Sequence, residues 1–205
     1  MNQQREFPDW EQRYQDHDVE SMPWFNPDLD LDLDQALTDL NLHTGTVLDL
    51  GTGPGTQAIA LAERGFKVTA TDISDTAIQK ALIRAKEKGL DISFRQDDIF
   101  NTKLNQEFDF VLDRGCFHVF PPERRQDYVR ILDSLIKPQG YLFLKCFSHL
   151  ETREGGPYRF APEEIREIFS SRFNVSSVKE TVYQGTLDPL PKALFCILEK
   201  SQRDG

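Results

Sequence analysis

Four aspartates and three glycines carry the chemistry that this sequence can support. Asp49-Leu50-Gly51-Thr52-Gly53-Pro54-Gly55 sets an acid two residues ahead of a G-x-G-x-G run. Glycine lets a backbone turn tightly and approach a ligand with no Cβ in the way. A dinucleotide fingerprint reads G-x-G-x-x-G and would need glycine at position 56, where this chain has Thr56. The charge differs too. A dinucleotide brings a pyrophosphate, which favours a helix N-terminus and disfavours a nearby anion. A ligand with a cationic tail has the opposite preference, and Asp49 suits it.

Asp72, Asp98 and Asp113 follow, each at or just after the end of a later apolar run. A carboxylate at Asp72 is placed to accept both hydroxyls of a ribose. Ile73 next to it can cover one face of a base. Asp98 can accept from an exocyclic amino group, with Ile99 against the ring. Asp113 falls beside the reacting centre. A lone Asp after a strand is usually a turn or cap residue. Four at successive strand ends describe a slot for a nucleoside with a positive tail. S-adenosylmethionine has an ammonium, a sulfonium and no phosphate, so it is the expected cofactor. Asp49 would take its ammonium, directly or through water. A nicotinamide-dependent oxidoreductase is the competing reading, and Thr56 and Asp49 oppose it.

Such residues need strands to end on, and the pattern supplies them. Apolar runs at 46–50, 67–72, 92–96, 108–113 and up to 147 read as buried strands. They alternate with helical patterns at 56–64, from Ser74 to a stop at Gly89, and from Pro121-Pro122 through Tyr128, Ile131, Leu132 and Leu135. A short helix at 163–170 precedes two late strands, near 175–183 and 193–199, which face each other across 185–191. Repeated βαβ units predict a Rossmann-like, doubly wound α/β sheet that binds ligands at its carboxyl edge. The terminal hairpin makes the last strand antiparallel.

The 205 residues suit one domain, with a lead-in over 1–44 and an α/β core over 45–200. The net charge of -10 argues against nucleic acid, which is gripped mainly through phosphate contacts by basic faces. No apolar run approaches the ~20 residues of a membrane span, and Met1 to Glu6 lack the basic start of a secretory signal. A cytoplasmic protein is expected, monomeric or weakly dimeric, with a small-molecule acceptor. Cys116, Cys146 and Cys196 form no C-x-x-C pair, so no metal site is expected. The run Asp28-Leu29-Asp30-Leu31-Asp32-Leu33-Asp34 has calcium-loop spacing but lacks the glycine and the glutamate that such a loop requires. It reads as an acidic lead into the helix carrying Ala36, Leu37 and Leu40.

The ordered set Asp49, Gly51, Gly53, Gly55, Asp72 and Asp98 resembles the class I S-adenosylmethionine-dependent methyltransferases, over residues 45–200. That resemblance implies a seven-stranded sheet. The stretch from Leu112 to Tyr128, with Asp113-Arg114-Gly115 and then proline, arginine and tyrosine, is similar to the thiopurine methyltransferase family and its thiol, thiocyanate and halide methyltransferase relatives. Gly155-Gly156-Pro157-Tyr158 resembles that family's Gly-Pro-Pro-aromatic segment. Trp10, Tyr14 and Pro23-Trp24 resemble its N-terminal lid. The chain departs from the pattern at Tyr158, at Phe25 and in the bulk of the residues after Gly115.

The resemblance implies that Trp10, Tyr14 and Trp24 close over the donor, with Trp24 also touching the acceptor. It puts Asp113 and Arg114 at the catalytic centre, Arg114 orienting or deprotonating the acceptor. An ion pair between Arg114 and an acid is the alternative reading. Cys116, Phe117, His118 and Tyr158 would line the acceptor pocket. No general base stands out, which favours a thiol or other soft nucleophile, since thiols are partly ionised near neutrality. An N- or O-methyltransferase, or a non-catalytic binder of the same donor, remains open.

Overall fold

The computed structural model describes residues 7–201; residues 1–6, read above as lacking a secretory signal, lie outside the described residues. The chain opens with α1 (Trp10–Asp16), whose N-terminus is capped by the Asp9 carboxylate accepting from the Gln12 amide. Next comes α2 (Leu31–Asp39), with Asp30 as its cap. This helix begins inside the acid–leucine run rather than after it. The reason is that Leu33, Ala36 and Leu37 share one buried face at helical spacing.

From there strands and helices alternate. They are β1 (Thr46–Leu50), α3 (Thr56–Glu63), β2 (Lys67–Asp72), α4 (Asp75–Glu87), β3 (Ser93–Gln96), β4 (Phe108–Arg114), α5 (Pro122–Leu135) and β5 (Ile136–Ser148). A two-residue β6 (Arg159–Phe160), α6 (Pro162–Phe169), β7 (Phe173–Val182) and β8 (Lys192–Lys200) complete the order. The sheet runs β3-β2-β1-β4-β5-β8-β7, with β6 added to the end of β5. β3, β2, β1, β4 and β5 pair in parallel along this path, and β6 is parallel to β5. The final strand is antiparallel to both its neighbours, as the hairpin pattern predicts.

Strand β5 starts earlier than the sequence suggests. Ile136 pairs with Phe108 directly after α5, the register then shifts, and pairing resumes at Tyr141 opposite Phe110. Gln139 takes φ 64° in the irregular stretch. Two apolar layers sandwich the sheet. One packs α5 and α6 around Phe117, Tyr128, Phe160 and Phe169; the other packs α2, α3 and α4 around Leu33, Ala58, Val68 and Phe110.

The chain reverses its winding direction between β1 and β4, and such a switch point opens a crevice at the carboxyl ends of the strands. Asp49, Asp72 and Asp113 all sit there. Gly55 sets the entry to α3. It has φ 78°, and a Cβ on it would lie 2.7 Å from the Cβ of Ala81 on α4. Left-handed strain and overpacking act together at this point. Gly55→Ala is therefore expected to lower unfolding free energy by about 2–4 kcal/mol. Urea denaturation measures this, and Ala81→Gly in the same chain should recover part of the loss. An unchanged midpoint in Gly55→Ala would contradict this packing.

Candidate functional site: an acidic cleft at the strand ends

The glycine loop after β1 is pressed from two sides. A Cβ on Gly51 would stand 2.3 Å from the Cys116 sulfur, and one on Gly53 would stand 2.6 Å from the Tyr14 hydroxyl oxygen. The loop therefore lies between the turn after β4 and the N-terminal segment. A cleft of ≈ 380 Å³, counted out to solvent, opens at this junction and reaches Tyr14, Trp24, Phe25, Asp49, Gly51 and Arg114.

Three buried carboxylates sit at the carboxyl ends of β1, β2 and β4, and of these Asp49 lines the cleft. Asp49 accepts from the Thr52 hydroxyl at 2.6 Å. Asp72 accepts the Gly53 amide at 2.8 Å and the Ser74 amide at 2.9 Å. Asp113 accepts the amides of Gly115, Cys116 and Phe117 at 3.0, 2.7 and 2.9 Å, and also the Tyr128 hydroxyl. Burial pushes each of the three up to about 6, against the pull of those hydrogen bonds. Among the described residues, none of them has an ion pair. Removing a carboxylate from water without a cation is costly, so these carboxylates keep anionic capacity that no ion pair among the described residues satisfies.

The remaining expected residues sort by position. Ile73 is 53% exposed just beyond the end of β2. Asp98 caps a short turn through the Phe100 amide at 3.0 Å, and Ile99 is packed into the core beside α5. Asp113 turns its carboxylate toward its own loop and so fixes that loop's shape. Cys116 is half-buried against Gly51, its thiol pushed well above the usual range by burial and by Asp113. The expectation that Phe117 lines the acceptor pocket is not what the packing gives. Its side chain is fully buried against Tyr128, Phe160 and Phe169. A large apolar ring at that position is better satisfied by the core than by a cleft.

His118 is buried, with Nδ1 accepting the Phe147 amide at 3.2 Å and its ring stacked on Tyr183. Burial and the charge of Arg114 lower it to about 3, so it is neutral. Tyr158 is half-buried, donates its amide to the His118 carbonyl at 2.8 Å, and lies under the Arg125 guanidinium.

The segment from α1 to Phe25 lies over the loop. Trp10 and Trp24 meet edge to face at 5.8 Å. Glu11 docks α1 onto the start of α4, its carboxylate accepting from both hydroxyls of Ser74 and Thr76 and from the Thr76 amide. Those bonds, from Thr76 first, hold Glu11 down at about 2. Lys80 on α4 donates to the carbonyls of Tyr14 and His17.

Sequence reasoning missed the ion cluster at the far end of the cleft. Lys145, on β5 and fully buried, donates to both oxygens of Asp30 at 2.8 and 2.7 Å, to Asp32 at 2.8 Å and to the Gln184 side chain at 2.7 Å. Arg114 donates through Nε to Asp30 at 2.9 Å and through its other nitrogens to the carbonyls of Trp24 and Gln184. Burial works against ionised Asp32, but the hydrogen bond and charge of Lys145 hold its carboxyl below the usual range. The signal was present: a lysine in the middle of an apolar strand demands a buried acid.

The comparisons with known proteins agree with this geometry. The sequence pattern described as thiopurine S-methyltransferase matches residues 5–194. An uncharacterised methyltransferase of Schizosaccharomyces pombe is 32% identical over 135 residues, 64% of this chain and 90% of that protein. Thiocyanate methyltransferase 1 of Brassica oleracea is 27% identical over 70% of this chain and 65% of its own length. A solved structure described under the conversion of a disulfide bond into a thioacetal group during echinomycin biosynthesis has a TM-score of 0.81, at 23% identity, covering 93% of this chain and 90% of its own. TehB from Haemophilus influenzae superposes with a TM-score of 0.71 at 20% identity, over 84% of this chain and 63% of its own. The last two establish shared fold alone. The sequence pattern, spanning nearly all of the chain and every element of the cleft, shows that the protein belongs to the thiopurine S-methyltransferase family, whose members are S-adenosylmethionine-dependent methyltransferases.

Proposed function

We propose that this enzyme transfers a methyl group from S-adenosylmethionine to a small thiol or other soft nucleophile, held between the N-terminal segment and the turn after β4. The residues fit the donor. Asp49 and Asp72 are buried without an ion pair among the described residues, and the glycines of the loop let it pack closely under Tyr14 and Cys116. Asp72 would accept from the ribose hydroxyls. Asp49 would take the ammonium. Exposed Ile73 would cover the adenine, with Asp98 near its amino group and Ile99 behind. Trp10, Tyr14 and Trp24 would close over the donor and exclude water. When bound, the donor supplies a methyl already activated by its sulfonium.

The observation that supports the thiol reading is that His118, Cys116 and Arg114, expected near the acceptor, are each unavailable as a base. His118 is neutral, with Nδ1 engaged by the Phe147 amide. The Cys116 thiol stays protonated. The Arg114 guanidinium is committed to Asp30 and two carbonyls. We assign Asp113 and Arg114 positioning roles, in the loop and over the cleft respectively. A thiol that sheds its proton to solvent needs only alignment, which can contribute about 7–11 kcal/mol. Trp24, Cys116, His118 and Tyr158 are the side chains proposed to face the acceptor. Relatives named thiocyanate methyltransferase and probable thiol methyltransferase 2 support a sulfur acceptor. A relative named for a hydroxyquinolone keeps an acidic hydroxyl as the second reading. No helix of the described residues is long and apolar enough to cross a membrane, and we place the protein in the cytoplasm as a single-domain monomer or weak dimer.

A screen of S-adenosylhomocysteine release is expected to show thiols turning over about 100-fold faster than matched amines at neutral pH. Faster turnover of an amine, or no turnover of any acceptor with donor binding intact, would overturn the reading. Donor binding has a predicted pH dependence. Near or below pH 6 the free carboxyls hold protons that a bound ammonium would displace, so affinity falls as pH drops through about 6. Calorimetry should show about a tenfold loss of S-adenosylhomocysteine affinity between pH 7 and 5, with proton release on binding. The His118 ring should keep its Nε2–H tautomer and fail to titrate between pH 8 and 5, as nitrogen NMR would report. Titration near 6.5 would return His118 to candidacy as a base.

A further inference from the structure

The acid–leucine run has a role that its sequence does not declare. Asp30 is 1% exposed and meets two cations at once, Lys145 from β5 and Arg114 from the end of β4. Its backbone amide is fixed as well, donating to the Gln57 side chain at 2.8 Å. Arg114 is oriented from every side. Its guanidinium lies 4.5 Å from the centre of the Tyr183 ring, Nε is taken by Asp30, and the terminal nitrogens reach the carbonyls of Trp24 and Gln184. The Thr186 amide and hydroxyl, two residues beyond Gln184, donate to the carbonyls of Pro23 and Met22 at 3.1 and 3.2 Å.

We propose that Asp30 is a positioning residue acting through Arg114. It aims the guanidinium so that Arg114 straps the Met22–Trp24 stretch to the loop between β7 and β8, holding Trp24 over the donor cleft. Asp34, in the same run, pairs with Arg64 on the surface and has no part in this. The inference rests on the donor reading above, because Trp24 matters only if the cleft binds a donor.

The chain holds two tryptophans, Trp24 in the strapped stretch and Trp10 packed edge to face against it, so tryptophan emission reports its closure without any ligand. The test measures emission and S-adenosylhomocysteine affinity in wild type, R114K, D30N, the double variant and D34N. R114K keeps a cation beside Asp30 but loses the fork that reaches both carbonyls. It should fold, emit at longer wavelength, and bind S-adenosylhomocysteine about tenfold or more weakly. D30N should match it, and the double variant should be no worse than the weaker single, because both act on one contact. D34N should behave as wild type. If D30N fails to fold, with Lys145 left short of a carboxylate, R114K decides alone. Wild-type affinity and emission in R114K, or losses that add in the double variant, would overturn the proposal. Failure of wild type to bind S-adenosylhomocysteine would instead overturn the donor reading, and emission would still judge the strap.

Discussion

The constraint on which the site depends is the burial of carboxylates at the carboxyl edge of the sheet. The chain handles buried acids in two ways. Asp30 and Asp32 are given cations, Lys145 and Arg114, as part of a structural cluster. Asp49, Asp72 and Asp113 are given only hydrogen bonds, and burial pushes them up to about 6. A paired buried acid is satisfied within the fold. An unpaired one has electrostatic capacity left over, and in Asp49 that capacity faces a cleft. A donor that carries positive charge but no phosphate is the complement of such a cleft.

The two sets of acids are mechanically linked. The paired cluster lies at the far end of the cleft, and through Arg114 it touches the backbone that carries Trp24. At the near end Glu11 and Lys80 dock α1 on α4, while Tyr14 meets Gly53. The N-terminal segment is thus fastened at both ends across the loop that would hold the donor. Catalysis of methyl transfer needs alignment and the exclusion of water more than it needs acid–base groups, and the residues are distributed accordingly.

Most of this was legible in the sequence because it rests on local pattern. The G-x-G-x-G run, the alternation of apolar strands with helices, and acids placed after strands all survive without knowledge of distant contacts. What escaped depends on partners far away in the chain. Asp30 and Lys145 are 115 residues apart, and the acid–leucine alternation carries a strand-like period although helix α2 begins within it. Phe117 sits one residue from a half-buried cysteine, yet its ring belongs to the core beneath α5 and α6. Spacing alone does not tell which side of a turn a side chain faces. The irregular start of β5 was hidden because Pro138-Gln139-Gly140 reads as a turn, whereas pairing begins before it, at Ile136.

In the proposed function, Asp49, a buried carboxylate without an ion pair, recognises the amino-acid end of the donor. The most direct measurement compares two ligands on Asp49→Asn: S-adenosylhomocysteine, and 5′-methylthioadenosine, the same nucleoside without the amino acid. Calorimetry should show affinity for the first reduced by about tenfold or more and affinity for the second unchanged. Equal losses for both ligands, or no loss for either, would contradict the account.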